Sequence, residues 1–201
     1  MDDKRNEIEG NQVVGSLCIK FPWPGIARTI WGDHQRYIDT YFSSFPGKYF
    51  TGDGALRDEV GYYRITGRVD DVVIVSGHNL GTAPIEDAIN EHPAVAESAI
   101  VGFPHDIKGN ALYGYVILKE SGESRDRDNL IKEINQIITD HIGPIARLDK
   151  IQFVTGLPKT RSGKIMRRIL RKIAEGDFSN FGDTTTLLNP EIVDEIKNNR
   201  L

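Results

Sequence analysis

The sequence predicts an α+β fold in which a small domain, with a short β-sheet packed by helices, follows a β-rich segment. Helix and strand patterns alternate through residues 71–175, which is typical of a compact α+β unit. The residues before 70 show strand patterns and turns instead. With 201 residues, 39% of them hydrophobic and 27% charged, the chain is globular and long enough for one large or two small domains.

Strands are predicted where short runs of β-branched and aromatic residues lie between turn residues. The predicted ranges are 13–20, 48–52, 62–67, 72–76, 96–103, 111–119 and 150–154. The first range, which contains Val13 and Val14, has no earlier strand in the sequence to pair with. A native domain can begin in this way, but a fragment of a larger protein does so more often.

Helices are predicted over residues 34–43, 84–91, 127–141 and 163–175. The third range has the clearest pattern, because its apolar residues recur at the spacing of one helical face. In the second range, Pro84 suits the first turn of a helix. That helix is expected to end before Pro93, since the residue preceding a proline avoids the α region.

Charge and cysteine content restrict the possible function classes. The formal net charge is −4, so no general attraction to nucleic acid is expected. The one cysteine, Cys18, excludes an internal disulfide, and the five histidines lack the spacing of a zinc site. No apolar run approaches the length of about 18 residues that a membrane span needs, and no signal peptide is present. We expect a soluble, cytoplasmic protein without membrane contact.

A domain boundary is predicted near Asp70 and Asp71, which lie between an apolar hairpin and an apolar strand. Two adjacent acids at such a place are expected to be exposed rather than in a core. The segment is either an ordinary loop or a hinge, in which a few residues absorb the backbone change of a domain rotation. The predicted domains are residues 1–69 and 70–201.

The segment Pro158–Ile165 puts Lys164 directly after a Ser-Gly pair and before a strongly basic stretch. Glycine tolerates the positive φ of a tight turn, and lysine is a compact, mobile cation that suits an anionic oxygen. The segment does not fit a P-loop, because Ile165 stands where that motif has a metal-binding hydroxyl. The alternative interpretation of Lys164 is a solvated residue at a helix start.

Four segments, in this order, carry a resemblance to a known superfamily: Tyr49–Asp53, Tyr63–Asp71, Ser76–Gly81 and Pro158–Ile165. Together they resemble the late core motifs of the adenylate-forming enzymes, which include the acyl-CoA synthetases. Two more segments, Trp23–Thr29 and Lys159–Ala174, are similar to the acetyl-CoA synthetase family. The resemblance extends from residue 12 to residue 192.

The resemblance implies that the chain is the last third of a synthetase. Residues 1–69 would be the β-rich end of the large N-terminal domain, and residues 70–201 would be the mobile C-terminal domain. The family's phosphate loop and acyl pocket lie in the large domain and are missing, so the fragment alone is expected to be inactive. The implied enzyme is an acetate–CoA ligase, which forms acetyl-adenylate from ATP and acetate and then acetyl-CoA, with release of pyrophosphate and AMP.

The resemblance also implies roles for individual residues. Lys164 would be the catalytic cation of the adenylation half-reaction, and Asp70 would be the hinge. The remaining implied roles are ATP binding by Asp53, Arg68 and Asn79, CoA binding by Ser76, Gly77 and Thr139, and Mg²⁺ binding by Asn90, His92 and the carbonyl of Val95. Structural roles are the alternatives for several of them: a turn acid for Asp53, a surface ion pair for Arg68 and turn capping around Val95.

Two positions depart from the family pattern. Asn79 and Thr139 stand where acetyl-CoA synthetases carry arginine, so the contacts with the α-phosphate region and with the CoA phosphate each lose a positive charge. The resemblance further implies that Lys164 is acetylated by a lysine acetyltransferase and restored by a deacetylase. Acetylation removes the charge on which the proposed role of Lys164 depends.

Two other functions remain open at this point. The acetate–CoA ligase fragment is the leading interpretation, but because the acyl pocket is missing, the sequence does not separate it from a propionyl- or other short-chain acyl-CoA synthetase fragment. The second alternative is a basic module that binds phosphates or nucleic acid through the cations of residues 159–172. That stretch has no interleaved aromatic residue, which weakens the case for nucleic acid.

Overall fold

The computed structural model describes residues 1–201 and contains two compact units, Met1–Asp71 and Val72–Leu201. The predicted boundary between residues 69 and 70 falls inside a short 3₁₀ turn, Val69–Asp71. The assignment of the two units to parts of a larger enzyme stays a prediction. Helix and strand are both abundant, and the predicted α+β class is confirmed.

The first unit is built on a three-stranded antiparallel sheet. Strands β1 (Val13–Ile19), β2 (Tyr49–Arg57) and β3 (Tyr63–Arg68) lie in the order β1-β2-β3. Helix α1 (His34–Tyr41) is capped by the preceding residue, Asp33, whose carboxylate accepts a hydrogen bond from the backbone N–H of Arg36.

Aromatic side chains fill the small core of this unit. Tyr37 and Phe45 are buried, and the rings of Tyr41 and Tyr49 stack with their centroids 4.8 Å apart. The phenol of Tyr37 donates a hydrogen bond to the carbonyl of Ala27. These contacts attach α1 and the loop before it to strand β2.

The second unit is built on a five-stranded sheet. Its strands are β4 (Val73–Val75), β5 (His78–Leu80), β6 (Val95–His105), β7 (Gly109–Leu118) and β8 (Lys150–Phe153). The order is β5-β4-β7-β6, and β8 pairs in parallel with β7. Strands β6 and β7 form a long antiparallel hairpin that is the centre of the unit.

Helices cover both faces of this sheet. Their bounds are α2 (Thr82–Asn90), α3 (Glu120–Glu123), α4 (Arg127–His141), α5 (Arg167–Glu175) and α6 (Glu191–Asn198). Alternate residues of β6 and β7 point to opposite faces, so Ile100 and Leu112 pack with α2 and α4, whereas Val101 and Tyr113 pack with α5 and α6. Burial on both faces explains why these strands are apolar almost throughout.

Most of the predicted elements are confirmed, and α4 has the predicted bounds, 127–141. The helix predicted over 163–175 is wrong at its start, because α5 begins only at Arg167. Three short elements, β5, α3 and α6, were not predicted. The longest helix, α4, has 15 residues, and no helix here is both long and apolar enough to cross a bilayer.

Candidate functional site

The backbone around Lys164 forms a tight turn between two short antiparallel arms rather than the first turn of a helix. Lys159 and Ile165 pair as a β-bridge. Inside this pair, the N–H of Thr160 donates to the carbonyl of Lys164 at 2.9 Å, and the Lys164 N–H donates to the Thr160 hydroxyl at 3.1 Å. Gly163, with φ of +83°, makes the turn that brings the arms together. We call residues 159–165 the Lys164 hairpin.

The side chain of Lys164 is exposed and its ammonium group makes no hydrogen bond or ion pair. Most neighbouring cations do have partners. Lys159 bonds to Glu97 at 2.6 Å, and Arg167 bonds to Glu86 at 2.6 Å. The backbone of Lys164 is therefore held in place while its charge is left available.

The basic stretch, residues 159–172, has fewer unpartnered cations than its sequence indicates. Arg168 donates to the carbonyl of Asp183, Lys172 pairs with Asp177 at 3.0 Å, and Arg171 also has an interaction partner. Among the lysines and arginines of residues 159–172, only Arg161 and Lys164 have a side chain without any hydrogen-bond or ion-pair partner. These partners leave few of the cations free to contact phosphates, which disfavours the alternative of a basic binding module.

Two of the predicted CoA residues form the turn between β4 and β5. Ser76 and Gly77 have φ of +48° and +82°, as a two-residue hairpin turn with positive φ at both central positions requires. The Ser76 N–H donates to the carbonyl of Lys108, which ties the turn to the β6–β7 hairpin. Nothing lies within 4 Å of the position that a Cβ on Gly77 would occupy, so the backbone there is open to a close approach.

Asn79 and Thr139 lie in different surroundings. Asn79 is exposed on β5, the edge strand of the sheet, opposite Ile74. Thr139 lies near the end of α4, and its hydroxyl donates to the Asn135 carbonyl at 2.7 Å. The hydroxyl proton of Thr139 is therefore already used in a bond within the helix. The predicted contact of Thr139 with CoA stays a prediction.

The three residues predicted to hold Mg²⁺ follow one another at the end of α2 and the start of β6. The amide oxygen of Asn90 accepts a hydrogen bond from Ser98 at 2.9 Å. The buried ring of His92 bonds to Glu133 at 2.9 Å and to the N–H of Ala94. Both side chains are thus already engaged, and no group of three or more His, Cys, Asp or Glu side chains is placed to hold a metal ion. A cation at this place would depend on backbone carbonyls such as that of Val95.

Glu133 shows the effect of these bonds on its ionisation. The hydrogen bond from His92, and then the one from Arg125, favour the carboxylate and lower the pKa of Glu133 below its ordinary value. The cluster connects the end of α2 with α4. These contacts indicate a structural role for the cluster.

In the first unit, the structure brings together three residues that were predicted separately. Arg68, at the end of β3, lies 3.6 Å from the carboxylate of Asp53 and donates to Asp70 at 3.0 Å. The same guanidinium donates to the carbonyl of Thr51 at 3.1 Å. It lies directly over Gly52, where a Cβ would come within 2.6 Å of its nitrogens. The importance of Gly52 for this arrangement was not predicted.

Two acids near the Lys164 hairpin were not predicted: Glu97, which pairs with Lys159, and Glu86, which pairs with Arg167. Glu86 gave a signal that was not used: it is a charged residue directly after Ile85 and before Ala88 and Ile89, on the apolar face of a helix. A carboxylate at such a position requires a buried partner.

The chain is similar to known proteins over nearly its whole length, including the segments described above. Residues 84–164 match the C-terminal domain of AMP-binding enzymes, a match that ends at Lys164. The chain is 58% identical over 198 residues to the acetyl-coenzyme A synthetase of Parvibaculum lavamentivorans. It is 55% identical over 196 residues to the human mitochondrial acetyl-coenzyme A synthetase 2-like protein. Both alignments cover 98% of this chain, which spans only 30% and 28% of these relatives.

Solved structures show the same architecture. The anthranilate CoA ligase bound to anthranoyl-AMP superposes with a TM-score of 0.75 at 30% identity, covering 87% of this chain and 32% of that one. Acetoacetyl-CoA synthetase from Streptomyces lividans gives a TM-score of 0.78 over 94% of this chain and 28% of its own, with 23% identity, which supports the fold alone. The chain thus contains, over residues 84–164, a domain that matches the C-terminal domain of AMP-binding enzymes, and over 98% of its length it is similar to the C-terminal portion of the acetyl-coenzyme A synthetases.

Proposed function

We propose that this chain is the C-terminal portion of an AMP-forming acetate–CoA ligase. The observation that carries the proposal is the identity of 55–58% to acetyl-coenzyme A synthetases over 98% of the chain. The basic binding module is disfavoured because most cations of residues 159–172 have intramolecular partners. The short-chain alternatives have weaker support, since the relatives above are named for acetyl-CoA.

The proposed reaction has two halves. In the first, a carboxylate oxygen of acetate attacks the α-phosphorus of ATP, and pyrophosphate leaves. In the second, the CoA thiol sulfur attacks the acyl carbon of acetyl-adenylate, the thiol proton is released, and AMP leaves. The proposed requirement for Mg²⁺ belongs to the first half, where a cation would offset phosphate charge.

Lys164 is assigned to the first half. Its ammonium group has no intramolecular partner, so it is available to phosphate or carboxylate oxygens, whose charge shifts during the displacement. Asp53 and Arg68 are assigned to the ATP ribose and phosphate oxygens because their side chains lie together, Asp53 in the middle of β2 and Arg68 opposite it at the end of β3. Asn79 is assigned to the α-phosphate region, as an exposed amide donor on an edge strand.

The second half is assigned to the β4–β5 turn and to a hinge at Asp70. The exposed turn at Ser76 and Gly77 leaves its backbone open to the narrow pantetheine chain of CoA. Thr139 is a weaker candidate for CoA, since its hydroxyl is already bonded. Rotation at Asp70 would withdraw Lys164 after adenylation and bring the turn to the acyl-adenylate.

The test is Lys164→Ala in the full-length synthetase, with the two halves measured separately. We expect ATP- and acetate-dependent pyrophosphate exchange to fall at least ~100-fold, a loss in the range of one removed transition-state cation or donor. Turnover of synthetic acetyl-adenylate with CoA should stay within about twofold. An equal loss in both halves would contradict the assignment of Lys164 to adenylation.

Reversible acetylation of Lys164 is part of this proposal. The side chain is exposed, so it is accessible to a lysine acetyltransferase and to a deacetylase. Acetylation removes the charge and should therefore reproduce the half-reaction pattern of Lys164→Ala. Mass spectrometry of the full-length enzyme before and after deacetylase treatment, with adenylation measured on the same samples, tests this. Activity that does not follow the modified fraction would contradict it.

A further inference from the structure

We infer that Glu86, through its ion pair with Arg167, is a positioning residue for Lys164. This inference rests on the proposed function of Lys164. Glu86 lies in α2 and is buried, with a side chain only 10% exposed. Its carboxylate accepts two hydrogen bonds from the guanidinium of Arg167, from Nη2 at 2.6 Å and from Nε at 3.2 Å. Such a two-point pair fixes direction as well as distance.

The same carboxylate is attached to the sheet. Oε1 of Glu86 accepts the backbone N–H of Ile100 in β6 at 2.8 Å. Strand β6 is the edge of the sheet on this side, so this N–H has no strand to pair with. The buried charge of Glu86 is thereby compensated on two sides, and the carboxylate joins α2, β6 and α5 at one point.

The position of Arg167 is unfavourable without this acid. Arg167 is the first residue of α5, where the positive end of the helix dipole repels a cation. The residue before it, Met166, provides no side-chain cap. Glu86 supplies the negative charge that the helix start lacks, and it does so from another element. The first turn of α5 therefore depends on a tertiary ion pair for its place in the fold.

The helix start in turn determines the place of Lys164. Arg167 is three residues after Lys164, and the arm between them is fixed by the Lys159–Ile165 bridge and by the Met166 N–H, which donates to the Pro158 carbonyl at 2.8 Å. The opposite arm is held by the pair between Lys159 and Glu97, also on β6. The Lys164 hairpin is thus anchored on both sides to one strand. The Glu97 pair is more exposed, at 29% and 33%, so it is the weaker anchor.

The proposed effect is on geometry and not on charge at the reacting atoms. Glu86 does not need to touch a substrate. A displacement of the order of 1 Å in a catalytic cation can cost as much as ~100-fold in rate. Loss of the Glu86 pair would let the helix start and the hairpin move, while the distant β4–β5 turn keeps its own bonds.

The experiment uses the full-length synthetase and measures the half-reactions separately for Glu86→Gln, which keeps the shape and an acceptor for the Ile100 N–H. We expect adenylation to fall ~10- to 100-fold, with thioester formation from synthetic acetyl-adenylate within about twofold. Arg167→Lys, which keeps a charge but loses the fork, should give a smaller loss of the same kind. If Glu86→Gln does not fold, the half-reactions of Arg167→Lys provide the test instead. The matched control is Asp177→Asn, which breaks the pair with Lys172 at the other end of α5 and should leave both halves unchanged.

A double variant separates positioning from a general loss of structure. If Glu86 acts through Lys164, Glu86→Gln should cause no further loss of adenylation in a Lys164→Ala background. Multiplied losses, or equal losses in both halves, would overturn the inference. Unchanged adenylation in Glu86→Gln, with adenylation lost in Lys164→Ala, would overturn the inference and leave the proposed function intact. Unchanged adenylation in Lys164→Ala itself would overturn the proposed function.

Discussion

At the residue scale, the arrangement of Arg68 depends on a glycine beneath it. Gly52 has φ of +80°, and a Cβ at this position would lie 2.6 Å from both terminal nitrogens of Arg68. A side chain at residue 52 would therefore push the guanidinium away from Asp53 and Thr51. The sequence shows a Gly-Asp pair at this place, but the arginine that covers it comes from the next strand.

We expect Gly52→Ala in the full-length enzyme to raise the KM for ATP severalfold, with a smaller effect on the KM for acetate. The unfavourable φ should also cost about 1–2 kcal/mol of stability. Gly47→Ala is the matched control, because Gly47 has nearly the same φ, +79°, and nothing within 4 Å of its Cβ position. Steady-state kinetics and thermal unfolding of both variants check this. An equal rise in KM for the two variants would show that backbone strain, and not Arg68, is responsible.

Glu133 gives a prediction for pH dependence. Its pKa is lowered in the folded protein from an ordinary value of about 4.5, chiefly by the hydrogen bond from His92. A depressed pKa means that the carboxylate stabilises the fold above the unfolded pKa, and that this contribution is lost as the pH falls through the folded pKa. Glu133→Gln should therefore lower the Tm at pH 7. The difference in Tm between the variant and the wild-type chain should shrink below about pH 4.5. Glu120→Gln, at a position without an ion pair, should show no such difference at either pH.

At the element scale, helix α4 and the Lys164 hairpin show where sequence patterns are sufficient to predict a structural element and where they fail. Helix α4 was predicted with its observed bounds, because its apolar residues repeat at helical spacing. The basic residues after Lys164 are also helical, but the helix begins later than predicted. The pairing of Lys159 with Ile165 depends on Gly163 and on the Thr160 hydroxyl, which local helix propensity does not take into account.

The partners of the candidate site were harder to predict than the site itself. Lys164 was singled out from the Ser-Gly turn before it, whereas Ser76 and Gly77 were selected through the family resemblance; all three lie in turns formed by their immediate neighbours. Glu86 acts on Arg167 across 81 positions in the sequence. Such a pair follows from the topology of the sheet and its helices, which no local pattern contains.

The 3₁₀ turn Val69–Asp71 yields a test of the hinge. Asp70→Pro fixes φ near −65° and restricts rotation at this residue. We expect adenylation to persist and thioester formation to fall at least ~10-fold, because the conformational step between them would be blocked. Asp70→Ala is the control, since it removes the bond to Arg68 and leaves φ free. Loss of thioester formation in both variants would indicate that the carboxylate matters and that rotation at Asp70 does not.

At the scale of the whole molecule, the chain carries the segments assigned to Lys164, the hinge and the CoA turn, but it spans only about 30% of its relatives. We expect the second unit of the isolated chain to fold around its own core and to unfold cooperatively. We also expect no pyrophosphate release from ATP and acetate, because the resemblance implies that the family's phosphate loop and acyl pocket lie in the part of the relatives that the chain does not span. Calorimetry and a pyrophosphate assay, with the full-length enzyme as the positive control, check both statements. ATP- and acetate-dependent pyrophosphate release by the purified chain would contradict the assignment.

The central position of β7 has a consequence for how the second unit opens in solution. Over Tyr113–Val116 this strand is paired with β6 on one edge and β8 on the other, and its side chains are buried on both faces. The amide protons of this stretch should be the last to exchange with deuterium, because their release requires the whole unit to open. The amides of the Lys164 hairpin and the Ser76-Gly77 turn lie at the surface, and their hydrogen bonds can open locally, so they should exchange orders of magnitude faster. The segments proposed to move during turnover are thus expected to have the least protected amides of the second unit. Strand β7, by contrast, should stay protected until the whole unit unfolds.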